Sequence, residues 1–189
     1  MKTIITHFYN EEHLLPWWLN HHKKYFDFGV LIDYGSTDRS VEICKQICPN
    51  WQVLPSGNQY FDAAQCDYEV MFIERQITGW RIVLTITEFL VGNLDSLFLA
   101  SDQPMQWLIP EISFVCWEPD KTLDNSKELW EQITFGMPYT VPALSRRPRS
   151  MHNFNDLNYH IGRHYDNYNT ESAVIFHYAN AIYLSLIHI

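Results

Sequence analysis

A chain of 189 residues, 47% of them hydrophobic, can bury one sizeable core and is most simply one domain over 1–189. A net charge of −9 argues against a nucleic-acid backbone or an anionic membrane surface as partner. No apolar run reaches the length of a bilayer span, Met1 opens straight into a strand-like segment, and Cys44, Cys48, Cys66 and Cys116 form no Cys-x-x-Cys pair. These features predict a cytoplasmic protein with reduced, partly buried thiols and no transmembrane segment.

Lys2 to His7 is short and β-branched, a first strand. His13 to about Tyr25 is a Trp-rich helical stretch in which Leu14, Leu15, Trp18 and His22 share a face; this predicts Trp18 in the core and Trp17 at least partly exposed. His21 and His22, being adjacent, point to different faces and read as surface or hydrogen-bonded core residues, not as a metal pair. Gly29 to Ile32 is a second strand, and Val41, Ile43, Cys44 and Ile47 trace a second helix ending near Cys48. Trp51 to Leu54 is a third strand. Asp62 to about Thr78 is an amphipathic helix with Asp62 as N-cap, Gly79 as the residue after the helix, and Cys66, Val70, Ile73 and Ile77 inward. Arg81 to Leu84 is a fourth strand that runs into Thr85-Ile86-Thr87-Glu88-Phe89-Leu90. Strands and helices alternating in this way predict an α/β fold with a mainly parallel sheet and helices on both faces.

The second half, 100–189, is less regular. Leu94 to Leu99 and Lys127 to Ile133 read as short helices, Trp107 to Trp117 as one or two strands around Pro110, and Ala173 to Tyr178 as a strand. Pro138, Pro142 and Pro148 punctuate a loop carrying Arg146, Arg147 and Arg149, and Ile182 to Ile189 is an apolar tail, either a docked element or a cut end.

Chemistry concentrates at Ile32-Asp33-Tyr34-Gly35-Ser36-Thr37-Asp38-Arg39-Ser40, where an apolar strand ends in a carboxylate and turns into a helix N-terminus. In an open α/β sheet ligands sit at such strand ends, because unpaired helix amides and strand-end side chains converge there. Asp33 is suited to accept hydrogen bonds from a base or a ribose. The alternative is that Asp33 and Asp38 merely cap the following helix.

The set His7-Phe8-Tyr9-Asn10-Glu11-Glu12 after the first strand, Trp18-Leu19-Asn20-His21-His22, Ile32 to Ser40 after the second, and Thr87-Glu88-Phe89-Leu90 after the fourth resembles the family 2 glycosyltransferases. The resemblance covers Lys2 to Leu99, about half the chain, and makes 1–99 the nucleotide-sugar side and 100–189 the acceptor side. It implies the GT-A fold, which is Rossmann-like, a nucleotide-diphospho-sugar donor, a glycan or other hydroxyl acceptor, and a divalent metal held by an Asp-x-Asp motif. It also implies that Asn10 and Glu11 line the nucleotide pocket, that Asp33 meets base or ribose, and that Ser36 and Asp38 hold the loop. The expected strand order brings His7, Asp33 and Glu88 around one cleft.

The departure lies in the metal motif, where Thr85 and Thr87 occupy the two Asp positions and only Glu88 is left. Hard cations such as Mg²⁺ or Mn²⁺ want charged oxygens, so the metal would be weakly held by Glu88 with a late ligand, His177 or one of His160 and His164. Alternatively Arg146, Arg147 and Arg149 carry the phosphates directly. The general base an inverting transferase needs is assigned by position to Glu118 or Asp120. Glycosyl transfer is therefore the leading reading, with a nucleotide-sugar-binding relative without turnover as the alternative. A His-dependent metallohydrolase comes last, since nine His offer no His-Glu-x-x-His pair.

Overall fold

Thr3, Ile4, Ile5 and Thr6 are buried without alternation, which is what a strand covered on both faces requires. A computed structural model describes residues 1–60, 62–98, 104–114, 123–124, 126–133, 138–139, 149–154, 159–160, 163–164 and 172–178, with the backbone alone for 113–114, 138–139, 159–160 and 163–164. In chain order the elements are β1 (Lys2–Phe8), α1 (Leu15–His22), β2 (Phe28–Asp33), α2 (Ser40–Ile47), β3 (Gln52–Pro55), α3 (Ala63–Glu74), β4 (Trp80–Val83), β5 (Glu88–Gly92) and α4 (Leu94–Phe98). They continue with β6 (Gln106–Ile109), β7 (Glu111–Phe114), α5 (Leu129–Gln132), β8 (Pro138–Tyr139), β9 (Arg149–His152), β10 (Tyr159–His160), β11 (Arg163–His164) and β12 (Ala173–His177).

The first sheet has the order β3-β2-β1-β4-β9-β6. Its first four strands are parallel, and β9 closes antiparallel on both β4 and β6. A second sheet, β5-β12-β7-β8, is built around β12, antiparallel to β5 and parallel to β7; β10 and β11 form a separate ribbon. Ile4, Leu31 and Ile82 point to the side of α1 and α2, whereas Ile5, Val30 and Ile32 meet Val70 of α3 on the other. This is the expected α/β class, with helices on both faces of a mainly parallel sheet. Each of these fully covered aliphatic side chains contributes about 1.5–3 kcal/mol. Gly29 lets Trp51 lie flat against β2: a Cβ there would come within 2.2 Å of the indole.

Two expectations need correction. Helix α1 is shorter than His13 to Tyr25, and Trp17 is buried along with Trp18, 7% exposed against 0%. The indole Nε1 of Trp17 donates to Lys127 O at 3.0 Å, so the face read as solvent-facing is covered by the segment before α5. Helix α3 begins at the predicted N-cap, Asp62, whose Oδ1 accepts from Gln65 N, but ends at Glu74. Gly79 is therefore no helix terminator. It turns the chain into β4 with φ +87°, where a Cβ would meet Met1 O at 2.5 Å. After β4 the chain leaves the first sheet: Glu88 opens β5 and takes it into the second. Cys44, Cys48 and Cys66 are free and buried; Cys116 and the 182–189 tail lie outside the described residues.

Candidate functional site

From β1 the sheet grows to β2 and β3 on one side and to β4 on the other, so the β1/β4 boundary is a topological switch point, where open α/β sheets bind ligands. Phe8 is level with Asp33, and Leu84 N donates to Ile5 O at 3.0 Å, which sets His7, Asp33 and the Thr85–Glu88 turn at the same carboxyl edge of the sheet.

One wall consists of the loops after β1 and β2, laced to each other. Asn10, the one non-glycine residue of positive φ (53°) among the described residues, turns its Oδ1 to accept from Thr37 N at 2.8 Å and Asp38 N at 3.3 Å. Its own N–H donates to Ser36 Oγ at 3.0 Å. The next two amides follow suit, Glu11 N to Ser40 Oγ at 2.8 Å and Glu12 N to Asp38 Oδ2 at 3.0 Å. Gly35, at φ +79°, permits the tight turn in which Asp33 Oδ1 accepts from Ser36 N at 2.9 Å. Asp38 Oδ1 accepts from Ser40 N at 2.9 Å, so Asp38 does fix the start of α2. Asp33 does something different: one oxygen pins the turn, and Oδ2 makes no hydrogen bond among the described residues.

The charges of this wall are shaped by enclosure. Burial, reinforced by the Asp38 charge, pushes the Glu11 carboxyl up to about 7. Burial also works against the Asp38 charge, but hydrogen bonds from Ser40 and from the Glu12 backbone outweigh it and hold Asp38 below the usual carboxylate range. Tyr34 donates to Glu69 Oε2 at 3.0 Å, and Glu69 also accepts from Ser56 Oγ at 2.7 Å, Gly57 N at 2.6 Å and Asn58 Nδ2 at 3.1 Å. This one carboxylate of α3 ties together the loops after β2 and β3. Nothing in the local sequence around Glu69 signals that role.

The other wall is the Thr85–Glu88 turn. Thr85 N donates to Glu88 Oε2 at 2.8 Å, Glu88 N to Thr85 O at 3.0 Å, and Tyr178 N to Thr87 O at 2.9 Å. Beneath it the Trp18 indole donates to both Thr85 O and Glu88 O at 3.0 Å. The Thr85 and Thr87 hydroxyls are bonded to each other at 3.0 Å. Arg149 Nε reaches both Glu88 oxygens, at 3.0 and 2.9 Å, with the two side chains 12% and 2% exposed. Beside them His7 is drawn below its usual range, first by burial and then by the Arg149 charge, and its Nδ1 is buried with no hydrogen bond among the described residues.

A hard divalent cation does not fit this donor set. The two hydroxyls are neutral and bonded to each other, and the one carboxylate is taken up by a guanidinium and a backbone amide. His177 lies directly across from Glu88 in the β5–β12 pairing, but its Nδ1 sits 2.7 Å from Glu111 Oε1. Among the described residues no three His, Cys, Asp or Glu are grouped as a metal site would need. His160 and His164 fall in the β10–β11 ribbon, while Arg146, Arg147, Glu118 and Asp120 lie outside the described residues. The structure thus brings together Asn10, Glu11, Asp33, Ser36, Asp38 and Glu88, and adds Arg149 and Tyr34.

No family model matches this chain, and no curated protein matches it. Solved structures do. S. aureus TarS, residues 1–349, matches over 60% of this chain and 36% of that one, at 18% identity and a TM-score of 0.48. The same protein in complex with UDP matches over 66% and 38%, at 15% identity and a TM-score of 0.48. Glucosyl-3-phosphoglycerate synthase from Mycobacterium tuberculosis, in complex with Mn²⁺, UDP and glucosyl-3-phosphoglycerate, matches over 61% and 44%, at 10% identity and a TM-score of 0.42. The match spans less than half the length of each of these proteins.

Proposed function

We propose that this chain binds a nucleotide-diphospho-sugar in the crevice between the two walls and transfers its sugar to a hydroxyl acceptor. The observation that carries this reading is Asp33: a strand-end carboxylate beside the switch point, held by Ser36 N through Oδ1, with Oδ2 left to accept from a ribose or a base. Asn10 and Glu11 belong to the same pocket, the first as the strut of its loop and the second as a carboxyl poised near neutrality. Glu118 or Asp120 is assigned as general base and Arg146 with Arg147 as phosphate contacts, all four from their sequence positions. A second reading, donor binding without turnover, draws on the Thr85, Thr87 and Arg149 arrangement.

UDP, the nucleotide of two of the matching structures, is the first probe. Asp33→Asn keeps Oδ1 for the Ser36 amide while removing the charge, so the melting temperature should hold and UDP affinity should drop by about 1.5–3 kcal/mol in calorimetry. Unchanged affinity in a folded variant would reduce Asp33 to a turn residue. Release of UDP from UDP-sugars in the presence of hydroxyl acceptors then separates transfer from binding alone.

A further inference from the structure

We propose that Arg149, seated on Glu88, stands where this crevice would otherwise need a divalent metal, and that its two terminal nitrogens receive the diphosphate of the bound nucleotide. This rests on the donor-binding reading above and specifies which group answers the phosphate charge.

Four observations converge on it. The guanidinium uses only Nε on Glu88; Nη1 and Nη2 make no hydrogen bond among the described residues, and neither is a buried orphan. A planar fork held at one edge presents its other donors as a pair, the arrangement that matches two phosphate oxygens. The support is rigid, because Glu88 is itself fixed by the Thr85 amide and its turn by the Trp18 indole. A dication at Glu88 would have to displace Arg149, stranding a guanidinium in a site where it is 12% exposed and placing two cations side by side. Finally, His7 is kept uncharged by burial and by Arg149, so it adds no second cation, yet a neutral imidazole can still share a hydrogen bond with a phosphate oxygen.

The test is a set of titrations with UDP and with uridine, each in excess Mn²⁺ and in EDTA, on wild type, Glu88→Gln, Arg149→Gln and the Glu88→Gln/Arg149→Gln pair. Wild-type UDP affinity should differ by less than about threefold between Mn²⁺ and EDTA. Arg149→Gln should weaken UDP by about tenfold or more while uridine stays within about twofold. Since Arg149→Gln alone leaves Glu88 buried and unpaired, the double variant, neutral at both positions, provides the check on folding and should show the same selective loss. Glu88→Gln should retain UDP, because the Gln carbonyl oxygen still accepts from Arg149 Nε while a negative charge beside the phosphate is removed; a metal ligand would behave in the opposite way. The assignment is overturned by a drop of about a hundredfold in wild-type UDP affinity in EDTA. It is equally overturned if Glu88→Gln loses UDP while melting normally, or if the folded double variant binds UDP like wild type. Failure of wild type to bind either UDP or uridine in both buffers would instead remove the donor-binding reading, and this assignment with it.

Discussion

The two walls of the crevice are built on opposite principles. The β1/β2 wall consumes its polar groups internally: Asn10, Ser36, Asp38 and Ser40 all satisfy amides of the neighbouring loop, and little but Asp33 Oδ2 and the Glu11 carboxyl is left over. The β4/β5 wall is held mostly by backbone and by one indole, and concentrates its charge in a single ion pair between residues 61 positions apart. A wall stitched by many separate hydrogen bonds tolerates losing one stitch. A wall resting on one large buried ring and one ion pair does not.

The largest test of that contrast is Trp18→Ala. It empties a fully buried ring and leaves Thr85 O and Glu88 O without the indole, so it should cost about 5 kcal/mol in urea unfolding. Trp17→Ala removes a ring that is buried but bonded, among the described residues, only to Lys127 O, and should cost less, about 3 kcal/mol. Equal losses would mean that the indole bonds under the turn contribute nothing.

Next comes Asn10→Ala in the stitched wall. It loses the acceptor for two amides and places a Cβ residue without a compensating side-chain bond at φ 53°, for about 2 kcal/mol in total. Asn10→Gly relieves the backbone but not the lost acceptor and should recover about half. Full recovery in the glycine variant would show that conformation alone, and no hydrogen bond, selects Asn10.

The last test is electrostatic. Glu11 holds its proton more tightly in the folded protein, titrating at about 7 against an ordinary 4.5. Its contribution is therefore most favourable below the unfolded value and is lost as pH rises towards 7. The urea midpoint of wild type should fall more between pH 5 and 7.5 than that of Glu11→Gln. Parallel curves would place Glu11 in water, outside the enclosure that Asp38 and the loop provide.

How far the sequence discloses this arrangement depends on how local each interaction is. The four parallel strands follow from short β-branched runs, and the loop motif around Asp33 carries its own turn chemistry in Gly35, Ser36 and Asp38. The facing of α1 misleads, because a helical stripe presumes one solvent side, whereas α1 is covered by the sheet, by β5 and by the stretch before α5. The early end of α3 is hidden for a related reason: Ile77 continues the apolar spacing and still packs on the core, but from a turn in which Ile77 N donates to Glu74 O. The exit of β5 into a second sheet and the seating of Arg149 on Glu88 depend on β9 and β12, and no local pattern encodes a partner that far away.

The alternation of strands between the two sheets also sets a schedule for the nascent chain. After β4 the polypeptide visits the second sheet, returns for β6, leaves again for β7, and only then supplies β9, which pairs Arg81 with His152 and Ile82 with Met151. During synthesis the outer edge of β4 therefore stays open while about 70 further residues emerge, roughly 4–14 s at ordinary elongation rates. An unpaired parallel edge bearing Ile82 is a template for foreign strands over that interval, and such late, long-range closure makes folding slow. The crevice wall that depends on Arg149 thus comes into being near the end of folding, long after the Asp33 loop has everything it needs.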